Sequence, residues 1–392
     1  MKYLVSLISA SAFLLLGCQP ATQVSNIDRA KPTAAVDLPV SLDHPKAKLG
    51  SQLFFDPNLS ADRNQSCASC HDISRAFTDV RQDAFNGAVS LGSDSISVGE
   101  RNAPSAAYAA LTPPFHRTKY GVFRGGQFLD GRANDLAQQA AGPFTNPVEM
   151  QMPSESAVVD RVMENPVYMQ QFKQVYGAKI FADKARAFRA VTDAIAYFEQ
   201  TELFLAFDSK YDRVMRGEER FTAEEELGRT LFFSQQFTNC NSCHQLNPSP
   251  FFSRETFTNY EYRNIGVPVN PDLALSSLDE GLYDNPKVVD PAERGKFRVP
   301  TLRNVAVTGP YMHNGAFQDL RTVILFYDQY NNPMRTLNPE TGKAWGEPEV
   351  AENLDTLTLT QAPALNDQRV DALVAFLKTL TDQRYEPLLE QP

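Results

Sequence analysis

Two short clusters carry the most legible chemistry in the chain: Cys67-Ala68-Ser69-Cys70-His71 and Cys240-Asn241-Ser242-Cys243-His244. Cys-x-x-Cys followed at once by histidine is an attachment sequence for haem c. The two thiols form thioethers with the haem vinyl groups, and the adjacent imidazole reaches the iron from the same side. A thiol–disulfide redox pair or half of a zinc site also uses Cys-x-x-Cys. Against those readings, the histidine follows immediately in both places. The two motifs and Cys18 account for all five cysteines, so no thiols remain to complete a cysteine-rich zinc site. The sequence therefore predicts two covalently bound haems c, ligated by His71 and His244.

The elements that must position these motifs repeat along with them. Leu49-Gly50-Ser51-Gln52-Leu53-Phe54-Phe55 precedes the first and Leu227-Gly228-Arg229-Thr230-Leu231-Phe232-Phe233 the second. Each reads as a short helix with an apolar face, in which the glycine lets another helix come close. A partner helix follows each motif. Phe188, Val191, Ile195 and Phe198 share one face, and Val370, Leu373, Val374, Leu377 and Leu380 share another, with Asn366 as N-cap. Strand signals between them are sparse. This order around Cys-x-x-Cys-His resembles the helical cytochrome c fold, present twice. The expectation is an all-α protein with two cytochrome c-like haem domains in tandem, residues 41–205 and 206–392, within a 392-residue chain long enough for two cores. The net charge of −10 excludes a nucleic-acid partner, which would require clustered Lys and Arg. It suits a basic donor or target protein.

Before the tether the chain reads as a signal. Met1-Lys2 leads into an apolar run from Tyr3 to Leu16, shorter than the roughly 20 residues of a bilayer-spanning helix. Leu15-Leu16-Gly17-Cys18 resembles the lipobox of bacterial lipoproteins, in which the cysteine becomes the lipidated first residue of the mature protein. The plainer alternative is an ordinary signal peptide with a spare cysteine. The expectation is a signal over residues 1–18, lipidation on Cys18 and a polar tether over 19–40. Gln19, by the same resemblance, favours a lipid anchor in the outer membrane, facing the periplasm.

From about residue 45 to 385 the chain resembles the bacterial dihaem cytochrome c peroxidase and MauG family. Four stretches carry the likeness: Arg101-Asn102-Ala103-Pro104, Gln127-Phe128-Leu129-Asp130-Gly131-Arg132, the run from Gln139 to Pro147-Val148-Glu149-Met150, and Pro300-Thr301-Leu302-Arg303-Asn304 through Tyr311-Met312-His313-Asn314-Gly315. The resemblance implies a first haem that activates hydrogen peroxide and a second that exchanges electrons. It implies Glu149 as the group that moves the peroxide proton, Gln139 as the one that orients the substrate, and Pro143 as a shaper of the pocket. Tyr327 falls where peroxidases of the family use methionine and MauG uses tyrosine. The resemblance thus makes Tyr327 the distal ligand of the second haem, while its apolar surroundings also suit a core aromatic. Asn102, Thr308 and Pro310 are implied as ligands of a structural calcium ion.

Two departures bear on mechanism. No histidine occurs between His71 and His116, where relatives that act as peroxidases often carry a labile ligand, so the first haem is expected five-coordinate or water-bound. His116 is the alternative ligand; His44 reads as surface or core. Leu129 stands where relatives commonly carry a tryptophan between the haems, and the chain's single tryptophan is Trp345. Three activities follow from the resemblance. The first is cytochrome c peroxidase activity, with electrons from a small cytochrome or cupredoxin. The second is peroxide-dependent oxidation of residues on a partner protein, as in MauG and MbnH. The third is plain electron transfer without catalysis.

Overall fold

In a computed structural model, the protein is described over residues 38–81, 85–246, 254–273 and 278–390. The signal segment, Cys18 and most of the expected tether lie outside these residues. The described chain is mostly helical. Its helices are α1 (Pro45–Phe54), α2 (Cys67–Cys70), α3 (Leu136–Thr145), α4 (Glu155–Met163), α5 (Pro166–Tyr176), α6 (Lys184–Phe198), α7 (Lys210–Met215), α8 (Ala223–Phe233), α9 (Leu320–Asp328), α10 (Thr356–Leu359) and α11 (Asp367–Lys378). Among the described residues, no helix is long and apolar enough to cross a membrane.

The apolar side chains gather into two main clusters. One runs from Leu49 to Leu205 and the other from Tyr211 to Leu380. Each is built on one pair of helices, α1 against α6 and α8 against α11. The glycine in each leading helix explains how close the pairs come. A Cβ built on Gly50 would lie 1.9 Å from the Ala194 carbonyl oxygen, and one on Gly228 would lie 1.8 Å from that of Ala372. No side chain fits there. Gly228→Ala is therefore expected to force α8 away from α11 and destabilise the protein by about 1–3 kcal/mol or more; thermal denaturation beside wild type measures this, and an unchanged midpoint would contradict it.

Local chemistry fixes the helix ends. The Asp183 side chain accepts from Arg186 N at the start of α6, and Asn366 accepts from Arg369 N at the start of α11. Thr222 and Glu225 form a reciprocal capping box on α8. His44, exposed, caps α1 by accepting from Lys46 N. The stripe on α6 is buried as its spacing demands; on α11 Val370, Leu373 and Leu377 are buried and Val374 is half-buried at the edge, and Leu380 is buried just beyond the end of α11.

Two small antiparallel ladders lie between the helical halves: β1 (His116–Arg117) with β2 (Phe123–Arg124), and β3 (Tyr262–Arg263) with β4 (Phe297–Arg298). An isolated bridge between Arg124 and Glu261 joins them. Together they hold the segment 127–132 in place. Arg298 donates its backbone N–H to the Leu129 carbonyl at 2.9 Å and its Nε–H to the Phe128 carbonyl at 3.2 Å, while Asn285 Nδ2 donates to the Asp130 carbonyl at 3.0 Å. The final helical turns, Gln383–Glu390, bring Tyr385 against Ala76 and Val307, so the end of the chain packs on residues from both halves.

Candidate active site

A cavity of about 690 Å³ is lined mainly by the first half, with Leu278, Asp279, Asp284 and Arg298 of the second half contributing to its lining. Cys67, Cys70 and His71 form one side, delivered by the single turn of α2. Gln139 and Pro143 from α3, together with Glu149 from the loop that follows, form another. Proline within α3 turns the chain out of the helix, and the Met150 N–H returns to the Pro143 carbonyl at 3.1 Å, which draws Glu149 back toward the cavity. Leu129 and Asn102 also line it. All three residues expected to handle peroxide thus line the same cavity as the expected haem attachment site.

The two histidines are held in the same way. His71 Nδ1 lies 3.1 Å from the Phe77 carbonyl oxygen, and His244 Nδ1 lies 2.9 Å from that of Phe257. Because a carbonyl only accepts, Nδ1 carries the proton in each ring and Nε2 remains the coordinating nitrogen. Burial pushes both imidazoles down, His244 to about 4, which keeps them in the neutral form that binds iron. The carbonyls are fixed in turn: Phe77 and Phe257 both have positive φ, and the residue before each accepts from a hydroxyl, Ser105 Oγ to Ala76 O and Thr301 Oγ1 to Thr256 O.

Burial also pushes the four thiols up, Cys243 to about 11. The donor set and the cavity fit a covalently attached haem.

Glu149 is half-buried, and its carboxyl is held above the ordinary carboxylate range because burial outweighs the charge of Arg132 and the hydrogen bond from Asn146. Glu199, which sequence reasoning missed, lines the same cavity. It is 5 % exposed, its Oε2 has no partner, and burial alone pushes its carboxyl up to about 8. The available signal was its position, four residues after Ile195 on the buried stripe of α6.

Tyr327 is half-buried on α9, next to Phe326 of the second cluster. Its phenol is raised by burial and by the nearby Cys243 and Cys240 sulfurs, which places it on the haem-attachment side of that half. His116 is in exposed β1, outside the cavity lining, with Nδ1 on the Pro114 carbonyl. His313 is buried, 2.8 Å from Glu349 Oε2 and stacked on Phe297, which is a structural role.

The expected calcium ligands are less concentrated. The Asn102 backbone N–H donates to the His313 carbonyl, and its Nδ2 donates to those of Gly87 and Ala88, which leaves Oδ1 as the free acceptor. Thr308 and Pro310 belong to the loop that leads to His313. Among the described residues no group of three or more His, Cys, Asp or Glu could hold a metal ion, so a calcium ion here would be held by amide and carbonyl oxygens.

Two thiol-and-imidazole sites of matching construction, one facing a cavity with a raised carboxyl, define a c-type cytochrome built to act on a small substrate. Comparison with known proteins makes that class specific. The family model described as di-haem cytochrome c peroxidase matches residues 44–220. The methylamine utilization protein MauG of Paracoccus denitrificans is 54 % identical over 357 residues, 89 % of this chain and 92 % of that one. The cytochrome c551 peroxidase of Nitrosomonas europaea is 30 % identical over 338 residues, covering 86 % and 79 %. Among solved structures, the dihaem peroxidase BthA of Burkholderia thailandensis superimposes with a TM-score of 0.80 at 33 % identity over 89 % of both chains. The chain belongs to the dihaem cytochrome c peroxidase and MauG family, and is an oxidoreductase that carries two c-type haems and reacts with hydrogen peroxide.

Proposed function

We propose that residues 41–205 hold one haem through Cys67, Cys70 and His71, that residues 206–392 hold the other through Cys240, Cys243 and His244, and that peroxide is cleaved in the first half. The observation that carries this reading is the shared cavity, in which Glu149 and Gln139 face the attachment motif. The bound haem supplies an iron able to accept the peroxide oxygen and two oxidising equivalents. Everything else falls to the chain. Glu149 takes the proton from the near oxygen of peroxide and returns it to the far one, which leaves as water. Gln139 holds the substrate by its amide, and Pro143 keeps that face of the cavity narrow. Leu129, Ala140 and Met150 exclude bulk water from the proton path.

In the second half, Tyr327 would hold the haem iron together with His244. A phenolate is a hard anion and favours higher oxidation states of iron, in contrast to methionine. This feature favours the reading in which the stored oxidising power is spent on a residue of a partner protein, over reduction of peroxide with electrons from a small cytochrome or copper protein. Asn102, Thr308 and Pro310 would hold a calcium ion. The signal and Cys18 place the enzyme in the periplasm on a lipid anchor.

The test is one equivalent of hydrogen peroxide added to the fully ferric, haem-loaded protein, followed by absorption and electron paramagnetic resonance. Ferric signals from both haems are expected to disappear without prior reduction. Tyr327→Met is expected to raise the second-haem potential and make that loss depend on a supplied electron. If wild type reacts only after one haem is reduced, the protein is a conventional peroxidase with a concealed ligand, and the role given to Tyr327 is wrong.

A further inference from the structure

With leucine at position 129, no oxidisable side chain stands where relatives place a tryptophan, yet oxidising power must still pass between the halves. The junction contains another candidate. Tyr108 is 1 % exposed, and its phenol donates to Asp382 Oδ1 at 2.5 Å. Asp382 is itself fully buried and is held by Asn304, which donates Nδ2–H to Oδ2 at 2.9 Å and accepts the Asp382 N–H at 2.8 Å.

Tyr108 is packed against the support of both histidines. On the first side, the Phe77 carbonyl that holds His71 also accepts the Ala106 N–H at 3.1 Å, two residues from Tyr108. On the second side, the Arg303 guanidinium lies 5.5 Å from the centre of the Tyr108 ring and 5.3 Å from that of Phe257, whose carbonyl holds His244. The residues along this path are buried, and Tyr108 is the oxidisable ring that meets the supports of both histidines, whereas Tyr211 packs on Phe257 on the second side only.

Other tyrosines are less suited. Tyr260 and Tyr262 lie at the junction but donate to the Thr256 hydroxyl and the Gly125 carbonyl, neither of which accepts a proton at neutral pH. Tyr168 and Tyr176 have carboxylate partners, Asp56 and Asp193, but belong to the core of the first half.

We infer that Tyr108 relays oxidising equivalents between the two haems, with Asp382 as its proton acceptor. In the first step Tyr108 gives one electron toward the first haem and its phenolic proton to Asp382 Oδ1, becoming a neutral phenoxyl radical. In the second, the radical takes one electron from the second haem and recovers the proton from Asp382. The net change is one electron moved from the second haem to the first, the oxidant being peroxide. Donor and acceptor are already within proton-transfer distance. Burial holds the Asp382 carboxyl above its ordinary range despite the Tyr108 and Asn304 hydrogen bonds and the Arg303 charge, so it is the stronger proton acceptor for being there.

The inference rests on a haem in each half, and the test separates the two ideas. Peroxide is mixed rapidly with the ferric, haem-loaded protein, and each haem is followed by absorption and freeze-quench electron paramagnetic resonance. Tyr108→Phe keeps the ring and is expected to leave the first-haem reaction unchanged while slowing second-haem oxidation at least about tenfold. Asp382→Asn keeps an oxygen to accept from Tyr108, gives up the bond that Oδ2 accepts from Asn304 Nδ2, and cannot take the proton; it is expected to slow the same step. In wild type, that step is expected to slow in D2O, a measurement that needs no variant. Second-haem oxidation at the wild-type rate in both variants, or without a solvent isotope effect in wild type, would overturn the relay. Failure of the first haem to react in wild type would instead overturn the assignment of the peroxide site.

Discussion

Glu149→Gln is expected to lower peroxide consumption by roughly two to four orders of magnitude, the usual contribution of a positioned acid–base group. The substitution preserves size and hydrogen bonding, so the cavity, the Met150–Pro143 backbone bond and haem attachment should persist. What is lost is the ability to take a proton from one oxygen and give it to the other. Stopped-flow absorption after peroxide addition measures the loss, with the ferric haem spectrum as the control for intact attachment. Turnover within a few-fold of wild type would remove Glu149 from the proton path and shift attention to Glu199, the other raised carboxyl in the cavity wall.

The same carboxyl sets the direction of the pH response. Burial raises its proton affinity above that of an ordinary glutamate, while Arg132 and Asn146 only partly offset this. The form that accepts the peroxide proton is the carboxylate, so peroxide cleavage is expected to weaken as pH falls through the folded pKa. This acid limb lies above the ordinary glutamate value and should be absent from the residual activity of Glu149→Gln.

The parts of this arrangement that were legible in the sequence are those governed by local rules. The attachment motifs are contiguous, the helix stripes follow the 3.6-residue period, and the Asn366 cap sits beside the run it starts. Gly50 and Gly228 stood out because each sits in the same place in a repeated segment, and the near-identical contacts they make with Ala194 and Ala372 give the physical reason. The roles given to Gln139, Pro143 and Glu149 came from resemblance. In local terms they are a helical glutamine, a helix breaker and a loop glutamate, and only the fold shows them on one wall.

What the sequence could not show was chemistry assembled from distant positions. Tyr108 and Asp382 are 274 residues apart. Nothing near either one signals a buried phenol–carboxylate pair. Phe77 and Phe257 read as ordinary apolar residues, yet their function is carried by backbone carbonyls whose direction depends on a left-handed conformation. Glu199 was obscured for the opposite reason: a glutamate at a helix end is normally solvated. Its burial comes from its place in the cavity wall beside Ile195, which the fold closes with Gln139, Ala140 and Pro143 from α3, not from its neighbours in sequence.

Removal of the Arg303 charge should be costly for stability. The Arg303 side chain has no exposed surface and makes two bonds to Asp212, Nη1 to Oδ2 at 2.5 Å and Nη2 to Oδ1 at 2.9 Å. Asp212 also accepts from the Ser209 hydroxyl and backbone N–H, closing the capping box at the start of α7. Arg303→Met retains most of the side-chain volume but leaves that carboxylate buried without its cation, at a cost of about 3–5 kcal/mol. Adding Asp212→Asn should recover much of the loss, because the penalty belongs to the orphaned charge and not to packing. Urea unfolding followed at the Soret band of the haem-loaded protein measures both. A single substitution that costs no more than the double would show that packing, not charge, holds this junction. The effect should reach the second haem site first. Arg303 Nε donates to the Glu255 carbonyl at 2.6 Å, two residues before the Phe257 carbonyl that orients His244, so loosening Arg303 frees the segment on which that histidine depends.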